Sequence, residues 1–175
     1  MFNNKTVLVT GGTGSFGKNF VKKLLDDFKC KKIIVFSRDE LKQFELKETL
    51  SSHKRFKTLR FFLGDIRDKS RINTALTNVD YVCHCAALKQ IEAAEYNSQE
   101  CVKTNILGTQ NVIEASIDNN VKKVITLSTD KAVDPINLYG ATKLAADKLT
   151  ISSNLISVHK DTIFSVVRYG NVINS

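Results

Sequence analysis

Val7-Leu8-Val9-Thr10 runs directly into Gly11-Gly12-Thr13-Gly14-Ser15-Phe16-Gly17, and a helical apolar period begins there. This is a strand, a glycine turn and a helix in immediate succession. Gly11 permits the tight turn, Gly14 lets backbone approach a pyrophosphate without a Cβ in the way, and Gly17 allows close helix–strand packing. The helix N-terminus then offers unpaired N–H groups and a partial positive charge to phosphate oxygens. Gly11, Thr13, Gly14, Ser15, Phe16 and Gly17 are therefore candidate dinucleotide contacts. The spacing is G-x-x-G-x-x-G, not the basic G-x-G-x-x-G. A glycine cluster by itself reads as a turn, and its position at the first strand–helix junction is what gives it meaning.

Outward from that junction, apolar runs of strand length alternate with helical patterns. Strands are expected at 6–10, 32–37, 59–63, 81–85, 123–128 and 164–169, and helices at 16–27, 39–50, 69–77, 100–119 and 139–153. In the helix at 100–119, Val102, Ile106, Val112 and Ile113 recur on one apolar face. Such alternation specifies an α/β fold, a Rossmann-type doubly wound parallel sheet with helices on both faces. Residues 1–175 make one domain, long enough to bury roughly 70% of its extended-chain surface.

Composition is that of a soluble globular protein, 42% hydrophobic and 25% charged, with a formal charge of +8. The lysines are spread among helices without a basic block interleaved with aromatics, so nucleic acid is not an expected partner. A basic surface suits small anions such as dinucleotides and sugar nucleotides. Cys30, Cys83, Cys85 and Cys101 lack C-x-x-C spacing and read as reduced core thiols. Cys83 and Cys85 share a strand face with His84 on the other, which speaks against a metal site. Neither a signal peptide nor a stretch near the ~20 apolar residues of a membrane span occurs. The expected setting is the cytoplasm.

The end of the second strand bears on which dinucleotide is bound. An acid there suits the ribose 2′-hydroxyl of NAD, and a basic residue the 2′-phosphate of NADP. Ser37 and Arg38 arrive first and Asp39 comes after them, which favours NADP over NAD. The alternative is that Arg38 merely pairs with Asp39 or Glu40. Asp65, with Ile66, ends the third strand where the adenine side would lie, and Ala86-Ala87 ends the fourth with side chains small enough to pass the nicotinamide half.

On the same sheet edge comes Thr129-Asp130-Lys131, and then Tyr139-Gly140-Ala141-Thr142-Lys143. Tyr139 and Lys143 are four apart, which on a helix puts their Cβ atoms about 5–6 Å apart on one face. A cation held there would lower the phenol's pKa from about 10 and prepare it for proton exchange. The pattern is weak alone, since any amphipathic helix can carry it.

Together these segments, with Gly64-Asp65-Ile66-Arg67-Asp68, Ala86-Ala87-Leu88-Lys89 and Arg168-Tyr169-Gly170-Asn171-Val172, resemble the extended short-chain dehydrogenase/reductase superfamily. Within it the chain is similar to the inverting UDP-N-acetylglucosamine 4,6-dehydratases of pseudaminic-acid synthesis. Related dTDP-glucose dehydratases carry Asp-Glu where this chain has Asp130-Lys131. The membrane-bound retaining relatives typically lack the tyrosine found at 139.

The resemblance implies that Tyr139, assisted by Lys143 and near Thr129, takes the proton of the sugar's 4-hydroxyl while hydride passes to NADP⁺. Asp130 and Lys131 would then be the acid/base pair for loss of the 6-hydroxyl, with hydride returned to carbon 6 and carbon 5 reprotonated from the other face. Tyr139 rivals Lys131 for the carbon-5 proton. Asn105 would order the site at the cofactor, Lys89 would line it, and Lys89, Thr129, Tyr169 and Asn171 would meet the substrate. The alternatives are an NADP-binding module without turnover and a related sugar-nucleotide epimerase. Relatives of this kind run to roughly twice this length, so a smaller domain holding the uridine diphosphate is expected to be missing here. That would leave an apolar sheet edge open to association with a second copy.

Overall fold

A computed structural model of the chain describes residues 1–157 and 161–171. Six parallel strands form one sheet in the order β3-β2-β1-β4-β5-β6. They are β1 (Thr6–Thr10), β2 (Lys32–Ser37), β3 (Leu59–Leu63), β4 (Tyr81–His84), β5 (Lys123–Leu127) and β6 (Ile163–Val167). The strand order reverses between β1 and β4, and a cleft opens there beyond the carboxyl ends of the strands.

Among the described residues seven α-helices cover the sheet: α1 (Ser15–Asp27), α2 (Glu40–Leu50), α3 (Lys69–Ala75), α4 (Ile91–Tyr96), α5 (Ser98–Val102), α6 (Gly108–Asp118) and α7 (Leu138–Ile156). The burial of the strands explains their composition. All five residues of β1 are buried because helices lie on both faces, so the strand reads as a continuous apolar run. The alternate residues Val7, Val9, Ile33 and Val35 pack against Val21, Leu24 and Leu25 of α1 and Leu46 of α2. Their neighbours Leu8, Ile34, Phe36 and Val82 form a second core with Ile72 of α3 and Val112 of α6.

Two sequence expectations are corrected here. The helix read at 100–119 is three pieces, α5 and α6 joined by a π-helical turn at Lys103–Leu107. The extra residue that such a turn accommodates rotates α6 relative to α5, a change of phase that apolar periodicity alone does not register. The helix α4 had no apolar stripe to betray it; only Ala94 is buried. No helix among the described residues is long and apolar enough to cross a membrane.

Candidate active site

Three helices that start at the sheet edge carry side-chain caps. Asp39 accepts from Lys42 N at 2.9 Å, Asp68 from Arg71 N at 2.9 Å and Asn137 from Gly140 N at 2.8 Å. α1 differs. Its N-cap is Gly14 and no side chain satisfies its first-turn N–H groups, which face a cleft of about 820 Å³. Gly11 has φ +63°, and a Cβ there would stand 2.9 Å from the backbone N and Cα of Ala86. Only glycine lets the turn and the end of β4 come this close.

Gly11 and residues 13–17 form one wall of the cleft, and Ser37, Arg38, Asp65 and Ile66 continue it past β2 and β3. Ser37 is less free than the sequence suggested, because its hydroxyl already accepts from Gln43 Nε2 at 3.0 Å. Arg38 uses neither of its two neighbouring acids. Asp39 is occupied by α2, and Arg38 Nη1 reaches only Asp65 Oδ2, at 3.5 Å, from a half-exposed position on the rim. Burial works against ionisation of Asp65, yet hydrogen bonds from Arg67 hold its carboxyl below the ordinary range.

Ala86, Ala87 and Lys89 line the middle of the cleft. So does Cys85, which the sequence placed in the core. Its Sγ lies 3.5 Å from that of Cys83, and burial, then the neighbouring thiol, raises its pKa well above the usual value. His84 points the other way, bonded to Thr10 Oγ1 at 2.7 Å and Thr109 Oγ1 at 3.0 Å. Thr10 Oγ1 accepts two backbone N–H groups, from Cys85 and Ala86, so its proton goes to His84 Nδ1. The ring is neutral, and burial depresses its pKa to about 3.

The opposite lip is built by a short 3-10 turn at Asp130–Ala132. Thr129 Oγ1 donates to Asp130 Oδ1 at 2.9 Å and accepts from Lys131 N at 3.3 Å. Lys131 Nζ donates to Asp130 Oδ1 at 3.1 Å and to Asn171 Oδ1 at 3.2 Å. First Lys131 and then Thr129 keep the exposed Asp130 carboxyl below its ordinary range. Gly140 lets α7 start against this turn, since a Cβ would collide with the Lys131 carbonyl oxygen. Tyr139, one residue earlier, is thereby delivered to the lip beside Thr129 and Lys131. Tyr169 stacks on Phe16 of the glycine loop, centroids 6.2 Å apart at 18°. The backbone oxygen of Tyr169 accepts from Asp130 N at 3.0 Å.

The sequence expectation about Tyr139 and Lys143 is only half right. Both lie on one stretch of α7, but Lys143 is 5% exposed and donates to the Leu127 carbonyl at 2.6 Å. Burial lowers its pKa to about 8. Burial likewise raises that of Tyr139, and what pulls it back is a hydrogen bond with Thr129 and the charge of Lys131. Nor is Lys131 a buried base, since it is paired and partly exposed. Asn105, read as a cofactor contact, sits behind the wall at 1% exposure. Its amide accepts from Leu88 N at 2.8 Å and donates to Leu88 O at 3.0 Å and Thr142 Oγ1 at 3.1 Å. It therefore pins the loop after β4 to α7. Thr104 and Lys42, which also line the cleft, carried no motif that singled them out.

A family profile described as "Polysaccharide biosynthesis protein" matches residues 7–175. The chain belongs to this family. It is similar to a protein of Campylobacter jejuni subsp. jejuni serotype O:23/36 (strain 81-176) named UDP-N-acetylglucosamine 4,6-dehydratase (inverting). The two are 57% identical over 175 residues, covering 100% of this chain and 51% of the relative. Among solved structures, Pen from Bacillus thuringiensis superimposes with a TM-score of 0.94 at 44% identity, covering 99% of this chain and 52% of that one. DesIV, a dTDP-glucose 4,6-dehydratase from Streptomyces venezuelae with NAD and TYD bound, gives 0.79 at 25% identity, over 93% and 55%. The family resemblance read from the motifs thus stands. The chain spans about half the length of the curated relatives it matches.

Proposed function

We propose that this chain is the nucleotide-binding half of a cytoplasmic sugar-nucleotide dehydratase. It binds NADP and acts on UDP-N-acetylglucosamine, giving a 4-keto-6-deoxy sugar inverted at carbon 5. The observation that carries the reading is the placement of Tyr139, Thr129 and Lys131 on one lip of a cleft whose other wall is the glycine loop. Identity of 57% to an inverting dehydratase supports the choice of reaction.

The residues fit a nicotinamide dinucleotide. A Cβ at Gly14 would meet nothing nearer than the Gly11 oxygen at 3.3 Å, so the loop presents bare backbone to the cleft at the uncapped start of α1. When bound, that cofactor takes up a hydride and gives it back, so the sugar is rearranged without net oxidation. Tyr139 receives the proton of the sugar's 4-hydroxyl, with Thr129 orienting the phenol and Lys131 favouring its ionised form. The 4-ketone acidifies carbon 5. Asp130 and Lys131, 3.1 Å apart, hold a proton acceptor beside a proton donor, and the pair serves removal of that proton and departure of the 6-hydroxyl as water.

The test is incubation with UDP-N-acetylglucosamine and NADP⁺, then mass spectrometry. Loss of one water from the sugar nucleotide is expected. An unchanged mass with altered configuration at carbon 4 would instead make it an epimerase. No turnover, together with a melting temperature raised by NADP⁺, would leave a binding module. Arg38→Ala should weaken NADP⁺ more than NAD⁺, and equal losses would remove the argument for NADP.

A further inference from the structure

Tyr139, Lys143 and Asp147 succeed one another at four-residue steps along α7, which puts them on one stripe of the helix. The family resemblance gives the first two a part in the proton transfer and leaves the third without a task. Asp147 is only 4% exposed, and carboxylates are rarely buried so deeply without a partner. Its Oδ2 accepts from Arg168 Nε at 2.8 Å, while its Oδ1 is buried without a hydrogen-bond partner among the described residues. One turn earlier, Lys143 spends one ammonium proton on Leu127 O. The Ser128 hydroxyl is buried and unpartnered as well. Ser128 shares a strand face with Thr126, whose hydroxyl bonds Thr150 of α7 at 3.1 Å, so it too points at this helix. A buried ammonium and a buried carboxylate one turn apart, each incompletely bonded, are costly unless each offsets the other's charge.

We propose that Asp147 is the positioning residue of the Tyr139–Lys143 pair: its carboxylate, clamped by Arg168 and one helical turn from Lys143, is the buried countercharge that holds Lys143 as an ammonium in the inner wall of the cleft. The inference rests on the reading of Tyr139 and Lys143 as the proton-handling pair. Lys143 is faced by Asp147 from its own helix, by His84 and Cys85 from the end of β4, and by a carbonyl from β5. His84 is neutral and the Cys85 thiol is protonated, so Asp147 is the one full negative charge in that group. Its charge opposes the burial that brings Lys143 down to about 8. Arg168 extends the link to the far lip, because it begins the segment that lays Tyr169 on Phe16 and Asn171 on Lys131.

The experiment is a side-chain NMR titration of ¹⁵N-lysine-labelled protein, with the Lys143 signal assigned by its loss in Lys143→Arg. In the unsubstituted chain the signal should titrate near pH 8. Asp147→Asn should move the midpoint down by about one pH unit or more. Arg168→Gln frees the carboxylate from its guanidinium and should move the midpoint up, while Asp147→Glu should return it to near the starting value. A neighbour that only packs the helix would not shift it in opposite senses. An unmoved midpoint in Asp147→Asn overturns the proposal, as does one in Arg168→Gln should the first variant not fold. The titration needs neither cofactor nor sugar, so it is decided separately from the dehydratase reading.

Discussion

The two halves of the sheet bury different chemistry. Around β1, β2 and β3 the interior is Val7, Val9, Val21, Leu24, Leu25, Ile33 and Val35, with few polar side chains. Across the seam, between residues 104 and 153, Asn105, Thr109, Ser116, Thr126, Thr142, Lys143, Asp147 and Thr150 are all buried. On the proposed function, the first half would meet its ligand with backbone, so its side chains are free to be apolar and to hold a loop rigidly in place. The second half would meet its ligand with side chains that must hold protons, and those need buried polar partners behind them. On that reading, the difference separates holding a nucleotide from acting on a sugar.

If that division is right, deleting one atom should suffice to disable the second half. Tyr139→Phe should cut turnover about 10³-fold and leave dinucleotide affinity within a few-fold, measured by steady-state kinetics beside calorimetry. A parallel loss of affinity would mean that the two halves are not separable.

In the first half, adding one atom should do the damage. A Cβ at Gly17 would stand 2.6 Å from Gly12 Cα, backbone that cannot yield, so Gly17→Ala should lose about 3 kcal/mol in urea denaturation. Gly14→Ala would press only on the Gly11 carbonyl oxygen, at 3.3 Å, which a shift of a few tenths of an ångström relieves, and should keep the fold. It should nevertheless weaken the dinucleotide about tenfold, because the new methyl group stands where backbone meets phosphate. Equal stability losses in the two variants would contradict this account of the loop.

The smallest effect concerns the seam. His84 joins Thr10 of the first half to Thr109 of the second. Unfolded, this ring takes a proton below about pH 6.5, whereas folded it stays neutral until about 3. The unfolded state therefore binds more protons in that window, and stability falls as pH drops. Between pH 6.5 and 5, before most carboxylates titrate, the loss of stability should steepen toward a limit of about 1.4 kcal/mol per pH unit, and His84→Gln should flatten this slope.

Legibility in the sequence divides along the same line. The bounds of β1, β2 and β3 and the role of Gly11 could be read from residues because apolar runs and glycines act locally. The π-helical turn at Lys103–Leu107 could not, since it shifts phase without changing composition. Tyr139 and Lys143 were placed on one face correctly from their spacing. Their electrostatics were not, because burial of Lys143 depends on β5 and the charge nearest the phenol comes from Lys131, neither of which spacing encodes. Asn105 shows the same limit: besides Cys101 on the preceding turn, its amide bonds Leu88 and Thr142, 17 and 37 positions away.

The strand order β3-β2-β1-β4-β5-β6 has a temporal side. As the polypeptide leaves the ribosome, the first 63 residues already contain three strands that pair in sequence order, β1 with β2 and β2 with β3, so this ribbon can close through near-neighbour crossovers. β1 must then keep its other edge unpaired until β4 is made, for Thr10 meets His84 across 74 positions. During synthesis the open flank of β1 is the place where a chaperone, or a stray strand from another nascent chain, would compete with the native partner.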